Sequence, residues 1–270
     1  MQQGIAFIGG GNMASAIIGG LLKQGWPVSH IDVVEPFDEA RAKLSSQFGI
    51  SAQAKAGSFL SRADLVVWAV KPQTFKDAAA QTQAHTHAAL HLSVAAGIRS
   101  DTIAQWMGSE RIVRAMPNTP ALIGKGITAL FARAAVNAAD KALVNQVLGS
   151  TGELMWVGAE DQIDAVTALS GSGPAYVFYF LEAMRDAGAA MGLSPAQAYQ
   201  LALATFSGAT ALAGASSDGP ETLRQRVTSK GGTTFAALTS MEADGVKASF
   251  IAAMRAAQQR GKELGDEFGA

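Results

Sequence analysis

Two glycine-centred segments carry residue types suited to gripping anions. The first is Ile5-Ala-Phe-Ile8-Gly9-Gly10-Gly11-Asn12-Met13-Ala14, a β-like run entering a G-x-G-x-x-A turn and then a helical pattern. Gly9 permits a tight turn, Gly11 lets the backbone approach a pyrophosphate, and Ala14 lets the helix pack closely on the strand. Free N–H groups at the helix start then receive negative phosphates. In this strand–turn–helix context dinucleotide binding outweighs a purely structural turn. The second segment is Val227-Thr228-Ser229-Lys230-Gly231-Gly232-Thr233-Thr234. A Gly-Gly pair flanked by hydroxyl residues ahead of a helix makes a concave row of N–H groups that suits a carboxylate. Ser229 and Thr234 add hydroxyls to it. A flexible inter-helix loop with a threonine cap explains the same spacing equally well.

Other strand ends carry further candidates. The second strand ends in Val33-Val34-Glu35-Pro36. An acidic side chain there can accept both hydroxyls of an adenine ribose and repels a 2′-phosphate, which favours NAD over NADP. Arg41 is close enough in sequence to reach a phosphate, so both cofactors stay open. Ala69-Val70-Lys71-Pro72 and Val94-Ala95-Ala96-Gly97 end two more apolar runs, where ligands of doubly wound sheets lie. Ala95, Ala96 and Gly97 remove bulk where a nicotinamide ring would sit, and Lys71 offers a donor to ribose or phosphate. Met116-Pro-Asn118-Thr-Pro120 reads as a loop fixed by two prolines, directing Asn118 or simply turning the chain. Ser170-Gly-Ser172-Gly-Pro-Ala-Tyr176 interrupts or begins a long helix, and a capped helix start explains it better than a cleft lining. His85, His87 and His91 do not all share a helix face, and a solvated cluster outweighs a metal site. Neither a G-x-S-x-G elbow nor a Walker A motif is present.

The elements that must position these residues follow from pattern. Short apolar runs at Gly4–Ile8, Ile31–Val34, Leu65–Val70, Leu90–Ala95, Arg111–Met116, Ile127–Phe131 and Glu153–Val157 read as strands. Helical runs such as Asn12–Gln24, Asp38–Phe48 and Gln73–Gln81 lie between them. Alternation of unbroken apolar strands with helices predicts a doubly wound, mainly parallel α/β sheet covered on both faces. The strand signal then stops. Ile163–Met191, Pro195–Ala213, Glu221–Val227, Thr233–Glu242 and Val246–Glu263 read as helices, with breakers at Gly192–Pro195, Gly214–Pro220 and Lys230–Gly232. A domain boundary is therefore expected near Asp161, giving a dinucleotide-binding domain over 1–160 and an all-helical domain over 161–270.

Composition narrows the chemistry. The 270 residues include no cysteine, which excludes disulfides and thiolate chemistry, and only four histidines, which disfavours a zinc or iron site. A formal charge of −1 gives no global attraction to nucleic acid or an anionic membrane. The run Met1–Ile8 lacks a basic region and reaches Gly9 too soon for a signal peptide, so a cytoplasmic location is expected. Charged residues make up 16% of the chain, against roughly 25% for an ordinary domain. The longest uncharged stretch, Ala187–Ser217, is too often interrupted by polar residues to span a bilayer and instead calls for a protein surface to cover it.

Taken in order, the Phe7–Ala14 turn, Ala69–Pro72, Ala95–Gly97, Met116–Pro120, Ser170–Tyr176 and Ser229–Thr234 resemble the pyrroline-5-carboxylate reductases over essentially the whole chain. The last two motifs are the specific ones. The resemblance implies reduction of the cyclic imine of 1-pyrroline-5-carboxylate to L-proline, the final step of proline biosynthesis, with NADP or NAD as cofactor. It implies an N-terminal Rossmann domain and a C-terminal helical dimerisation domain that interleaves with a second subunit, so that each active site uses both chains. Ile8, Gly9, Gly10, Gly11, Asn12 and Met13, with Ala69, Val70, Lys71, Pro72, Ala95 and Ala96, would contact the cofactor. Glu35 would stand at its ribose. Ser229, Gly231, Gly232, Thr233 and Thr234 would hold the substrate. The chain departs from its relatives in two places: Glu35 stands where NADP-preferring members often carry Ser or Thr, and Lys230 stands where Ser-Pro-Gly-Gly is frequent.

The chemistry fits these residues. A protonated imine is already electrophilic, so its reduction needs no metal and no nucleophile, only alignment of the imine carbon with the nicotinamide. The glycine-rich loop offers a carboxylate grip, and Thr234 an orienting hydrogen bond or a proton relay from water. A 3-hydroxyacid-type or general imine reductase would carry a lysine on the long helix, and Ile163–Met191 contains none. A non-catalytic dinucleotide-binding regulator would have no use for the Ser229–Thr234 loop. Helices from a second subunit over Ala187–Ser217 would account for the low charge.

Overall fold

The computed structural model describes residues 3–268. Its elements are β1 (Ile5–Ile8), α1 (Asn12–Lys23), β2 (Ile31–Val34), α2 (Asp38–Phe48), β3 (Leu65–Trp68), α3 (Pro72–Thr86), β4 (Leu90–Ser93), α4 (Ser100–Met107), β5 (Ile112–Met116), β6 (Gly126–Ala132), α5 (Ala138–Leu148) and β7 (Gly152–Trp156). There follow α6 (Gln162–Val166), a π-helical turn at Thr167–Gly171, α7 (Gly173–Ala190), α8 (Pro195–Gly214), α9 (Pro220–Arg226), α10 (Thr233–Ala243) and α11 (Val246–Phe268). The strands form one sheet in the order β2-β1-β3-β4-β5-β6-β7. All neighbours are parallel except β5 and β6. This is the doubly wound, mainly parallel sheet that the alternation of elements predicts.

Strand period explains why the sheet is buried on both faces. In β1, Ile5 and Phe7 join a core with Ile17, Ile18 and Leu21 of α1. Ala6 and Ile8 join the opposite core, with Phe75 of α3 and Ile103 of α4. Every residue of β1, β3 and β4 is buried, and β1 and β3 read as unbroken apolar runs.

One histidine expected at the surface lies inside the sheet. His91 is fully buried in β4, and its Nδ1 accepts the Trp68 indole N–H at 3.2 Å. His85 and His87 lie on and just after the last turn of α3. Burial, assisted by the charge of Arg111, lowers the His91 pKa from 6.5 to about 4. The folded value is below the unfolded one, so the unfolded chain takes up the proton first as pH falls. His91 therefore contributes stability that is complete above pH 6.5 and is lost as pH falls towards 4, up to about 3 kcal/mol. A His91→Gln variant should show a flatter decline in thermal midpoint over that window. Identical slopes in the variant and the parent would contradict this account.

By compactness, the chain divides into a sheet unit, running to Ser172 and taking in the chain from Ala257 onward, and a helical unit, Gly173–Ala256. Packing thus groups α6 and the π-helical turn with the sheet. Glu160, just before α6, accepts the Arg114 guanidinium at 2.7 Å and the Ser100 N–H at 2.6 Å. Ile163 and Ala168 are buried. The expected single helix Ile163–Met191 is therefore interrupted, with the Ser170–Tyr176 motif at the break. The end of α11 returns to the sheet unit, where Arg99 pairs with Asp266.

The helical unit has little core of its own. α7 and α8 pack so closely that a Cβ on Gly188 would stand 2.7 Å from that of Ala198. Tyr176 and Phe180 of α7 meet Phe250 of α11 edge to face. Yet within this unit only Leu181, Gly188, Ala198 and Ala202 are buried. Leu201 and Leu212 of α8 are 57% and 62% exposed. Among the described residues, no helix is long and apolar enough to cross a membrane.

Candidate functional site

The cofactor candidates gather on one edge of the sheet. β2 and β3 flank β1, so the chain reverses its winding direction there, and ligands of doubly wound sheets bind at such a switch point. Register aligns Ile8 with Val34 and Trp68, and Trp68 with Ser93. The segments after those residues, Gly9–Met13, Glu35, Ala69–Pro72 and Ala95–Ala96, therefore emerge along the carboxyl edge. The β3 and β4 runs end earlier than their apolar character suggests, at Trp68 and Ser93. Ala69, Val70, Ala95 and Ala96 thus lie in the turns beyond the strands.

The glycine turn has the shape a dinucleotide needs. Gly9 has φ +96°, and a Cβ there would stand 2.5 Å from the Ala69 carbonyl oxygen. A side chain at this point is excluded by both conformation and space. Gly11 caps α1 without a side-chain hydrogen bond, and a Cβ on it would meet nothing within 4 Å. The first N–H groups of a twelve-residue helix thus open onto free space beside the turn. A cleft of about 450 Å³ lies there, lined by Gly10, Gly11, Asn12, Ser15, Phe37 and Lys43 among others. These features fit a pyrophosphate at the helix start. Lys71 sits just ahead of α3, with Pro72 in its first turn.

Glu35 is buried beneath this cleft, and its carboxylate accepts the N–H groups of Gly10 and Phe37 at 2.8 and 2.9 Å. Sequence reasoning missed Phe37, Asp38 and Lys43, which line the cleft from the start of α2. The only signal for them is their position just after the β2 terminus. Asn118 braces its own loop, its side-chain oxygen accepting the Ile127 N–H at 3.0 Å. Among the described residues, no group of three His, Asp or Glu side chains could hold a metal ion.

The substrate candidates lie in the helical unit. Gly232 N–H donates to the Ser229 carbonyl at 3.0 Å, closing a four-residue turn with Gly231 at φ +75°. A positive φ at the third position is the pattern of a type II turn, which favours proline at the second position. Lys230 occupies that second position. A Cβ on Gly232 would stand 2.6 Å from the Ser229 hydroxyl and 3.2 Å from its carbonyl oxygen, so the turn holds that hydroxyl close against Gly232. Gly232 then caps α10 with no side-chain hydrogen bond. The N–H groups of Thr233 and Thr234 lie in the first turn, where a helix has no partners of its own for them. Behind the loop, the Thr228 hydroxyl donates to the Arg224 carbonyl at 2.6 Å, and Arg224 pairs with Glu242.

Comparison with known proteins covers both units. Residues 160–264 match the family model described as pyrroline-5-carboxylate reductase dimerisation, which assigns self-association to the helical region. Residues 4–97 match the model described as NADP oxidoreductase coenzyme F420-dependent. A pyrroline-5-carboxylate reductase of Pseudomonas aeruginosa is 45% identical over 267 residues, spanning 98% of each chain. The structure of a pyrroline-5-carboxylate reductase from Coxiella burnetii superposes with a TM-score of 0.89 at 37% identity, covering 98% of this chain and 99% of that one. A Plasmodium falciparum pyrroline carboxylate reductase with NADP bound gives 0.88 at 28% identity, covering 98% of each. With both glycine segments inside a full-length match, the chain belongs to the pyrroline-5-carboxylate reductase family.

Proposed function

We propose that this chain reduces L-1-pyrroline-5-carboxylate to L-proline with NAD(P)H. The observation that carries the reading is family membership along the whole chain, through the sheet unit and the helical unit alike. Ile8 and Gly9–Met13 cradle the pyrophosphate, Lys71 and Pro72 border the ribose, and Ala95 and Ala96 leave room for the nicotinamide ring. The bound cofactor supplies the hydride. Ser229, Gly231, Gly232 and Thr233 grip the substrate carboxylate through N–H and hydroxyl donors, and Lys230 adds positive charge beside them. Thr234 orients the ring nitrogen through its hydroxyl and passes it a proton from water. Positioning supplies most of the rate, because the protonated imine is itself the electrophile.

Two chains pair through their helices and interleave, and each active site draws residues from both. Such dimers are suited to further assembly. The exposed leucines of α8 support this reading, since a helix that carries no charged residue on any face and exposes large apolar side chains calls for protein cover. The need for a reduced nicotinamide cofactor goes with a cytoplasmic location, and neither nucleic acid nor membrane has a part in the reaction. Cofactor oxidation tests the carboxylate grip. With 1-pyrroline, which lacks the carboxylate, kcat/KM should be at least about a hundredfold lower than with pyrroline-5-carboxylate, the scale of a lost charge-assisted anchor. Equal values would overturn the assignment of the Ser229–Thr234 loop.

A further inference from the structure

The turn between β4 and α4 carries Ala95 and Ala96 at the carboxyl edge, and the far end of the chain braces it. Gly97 has φ +75°, and a Cβ there would stand 3.0 Å from Leu264 Cβ near the end of α11. Conformation and space both exclude a side chain at this point. On the facing helix, a Cβ on Gly265 would stand 3.2 Å from Arg99 Nε and 3.7 Å from the Gly97 carbonyl oxygen. The Arg99 guanidinium donates to Asp266 at 2.6 Å. Three successive residues of α11 thus meet Gly97 and Arg99 of one turn.

The end of α11 is shaped for this contact. Gly261, Leu264, Gly265 and Phe268 recur at the spacing of one helix face. Gly261 and Gly265 are buried, and Phe268 packs on the core that includes Ala95 and Ile98. Arg260 donates to Glu263 and Glu267 at 3.2 and 2.6 Å, which ties the last turns together. The other end of the turn is held as well. Arg99 precedes α4 and supplies no side-chain cap. Glu160 does so instead, accepting the Ser100 N–H at 2.6 Å, and the buried Arg114 holds Glu160 in place. The turn is therefore fixed where α4 begins and braced along Gly97 and Arg99, while Ala96 stays half-buried.

We propose that Leu264, together with the Arg99–Asp266 pair, positions the Ala95–Gly97 turn for hydride transfer. The inference rests on the proposed function, which places the nicotinamide ring on that turn. Leu264 and Asp266 act through Gly97 and Arg99, so they are positioning residues. Hydride transfer is sensitive to such support, because a misplacement of about 1 Å set up far from the chemistry can cost about a hundredfold in rate. Removing the Leu264 side chain opens space behind Gly97 into which the turn can relax.

Stopped-flow single turnovers test this, with the protein loaded with NADH or NADPH and mixed with saturating pyrroline-5-carboxylate. The amplitude counts competent enzyme and the rate constant reports hydride transfer, so partial unfolding lowers the first and not the second. Leu264→Ala should lower the rate constant about tenfold, with the amplitude and the calorimetric cofactor Kd within about twofold. Leu264→Met conserves volume and should keep all three within about twofold of the parent. Arg99→Ala trims an exposed side chain and should lower the rate constant about threefold, the scale of an exposed ion pair. A parental rate constant in Leu264→Ala overturns the proposal, as does one in Arg99→Ala if Leu264→Ala does not fold. A loss confined to amplitude or to cofactor affinity overturns it too. If the parent itself transfers no hydride to this imine, the proposed function fails and the inference falls with it. A working parent beside variants of parental rate overturns the inference alone.

Discussion

Leu201→Glu is expected to release this protein as a monomer and to lower its turnover by more than a hundredfold. Leu201 stands on α8 with 57% of its surface exposed within the single chain. The helical unit has almost no interior of its own, so most of its apolar side chains gain cover only from another chain. The region matches the family model described as pyrroline-5-carboxylate reductase dimerisation, which supports a second copy as that cover. A carboxylate placed in such an interface loses its water without gaining a partner, at a cost of several kcal/mol. At about 1.4 kcal/mol per tenfold, that shifts the dimer equilibrium by three orders of magnitude or more. On the proposed reading, in which each site draws on both chains, activity falls with it. Light scattering beside a cofactor-oxidation assay measures the two effects together. Gln47→Glu, on the exposed face of α2, adds the same charge and should change neither. A Leu201→Glu protein that stays dimeric, or that is monomeric and fully active, would contradict the account.

Thr234→Ala is expected to lower kcat about a hundredfold while cofactor affinity stays within about twofold. A positioned proton donor or relay contributes about 10² to 10⁴ in rate. The lower end applies here, because a hydroxyl is a weak acid and water remains a competing donor. Thr234 sits in the first turn of α10. Its backbone N–H, assigned to the carboxylate in the proposed function, survives the substitution, so KM should change less than kcat. Thr234→Ser restores the hydroxyl and should recover most of the rate. Steady-state kinetics on both variants checks this. An alanine variant with parental kcat would show that the ring nitrogen is served elsewhere.

The geometry of the candidate cofactor edge was legible because it is local. The positive φ of Gly9, the open side of Gly11 and the place of Glu35 at a strand end all follow from a few neighbouring residues. What escaped depends on which surfaces meet. His91 lies two residues before the β4 terminus in an apolar run, and only the covering of both sheet faces shows it to be buried. The π-helical turn at Thr167–Gly171 is a slip in hydrogen bonding that leaves apolar spacing intact. α11 carries one uninterrupted helical pattern, so nothing in its period shows that its end returns to the sheet unit, where Leu264 stands 3.0 Å from a Cβ built on Gly97. Loss of strands places a boundary near Asp161, beside the start of the dimerisation match at residue 160, and division by compactness falls at Ser172. The role of Arg41 was open because a guanidinium near a phosphate site and one tied to its own loop, as here by donation to the Glu35 and Pro36 carbonyls, have the same sequence.

The central claim is tested most directly by adding L-1-pyrroline-5-carboxylate to the purified protein with NADH or NADPH and quantifying both products. The account predicts one L-proline formed per reduced cofactor consumed, with no metal added. Cofactor that binds yet is not oxidised by this imine, or is oxidised without proline appearing, would contradict it.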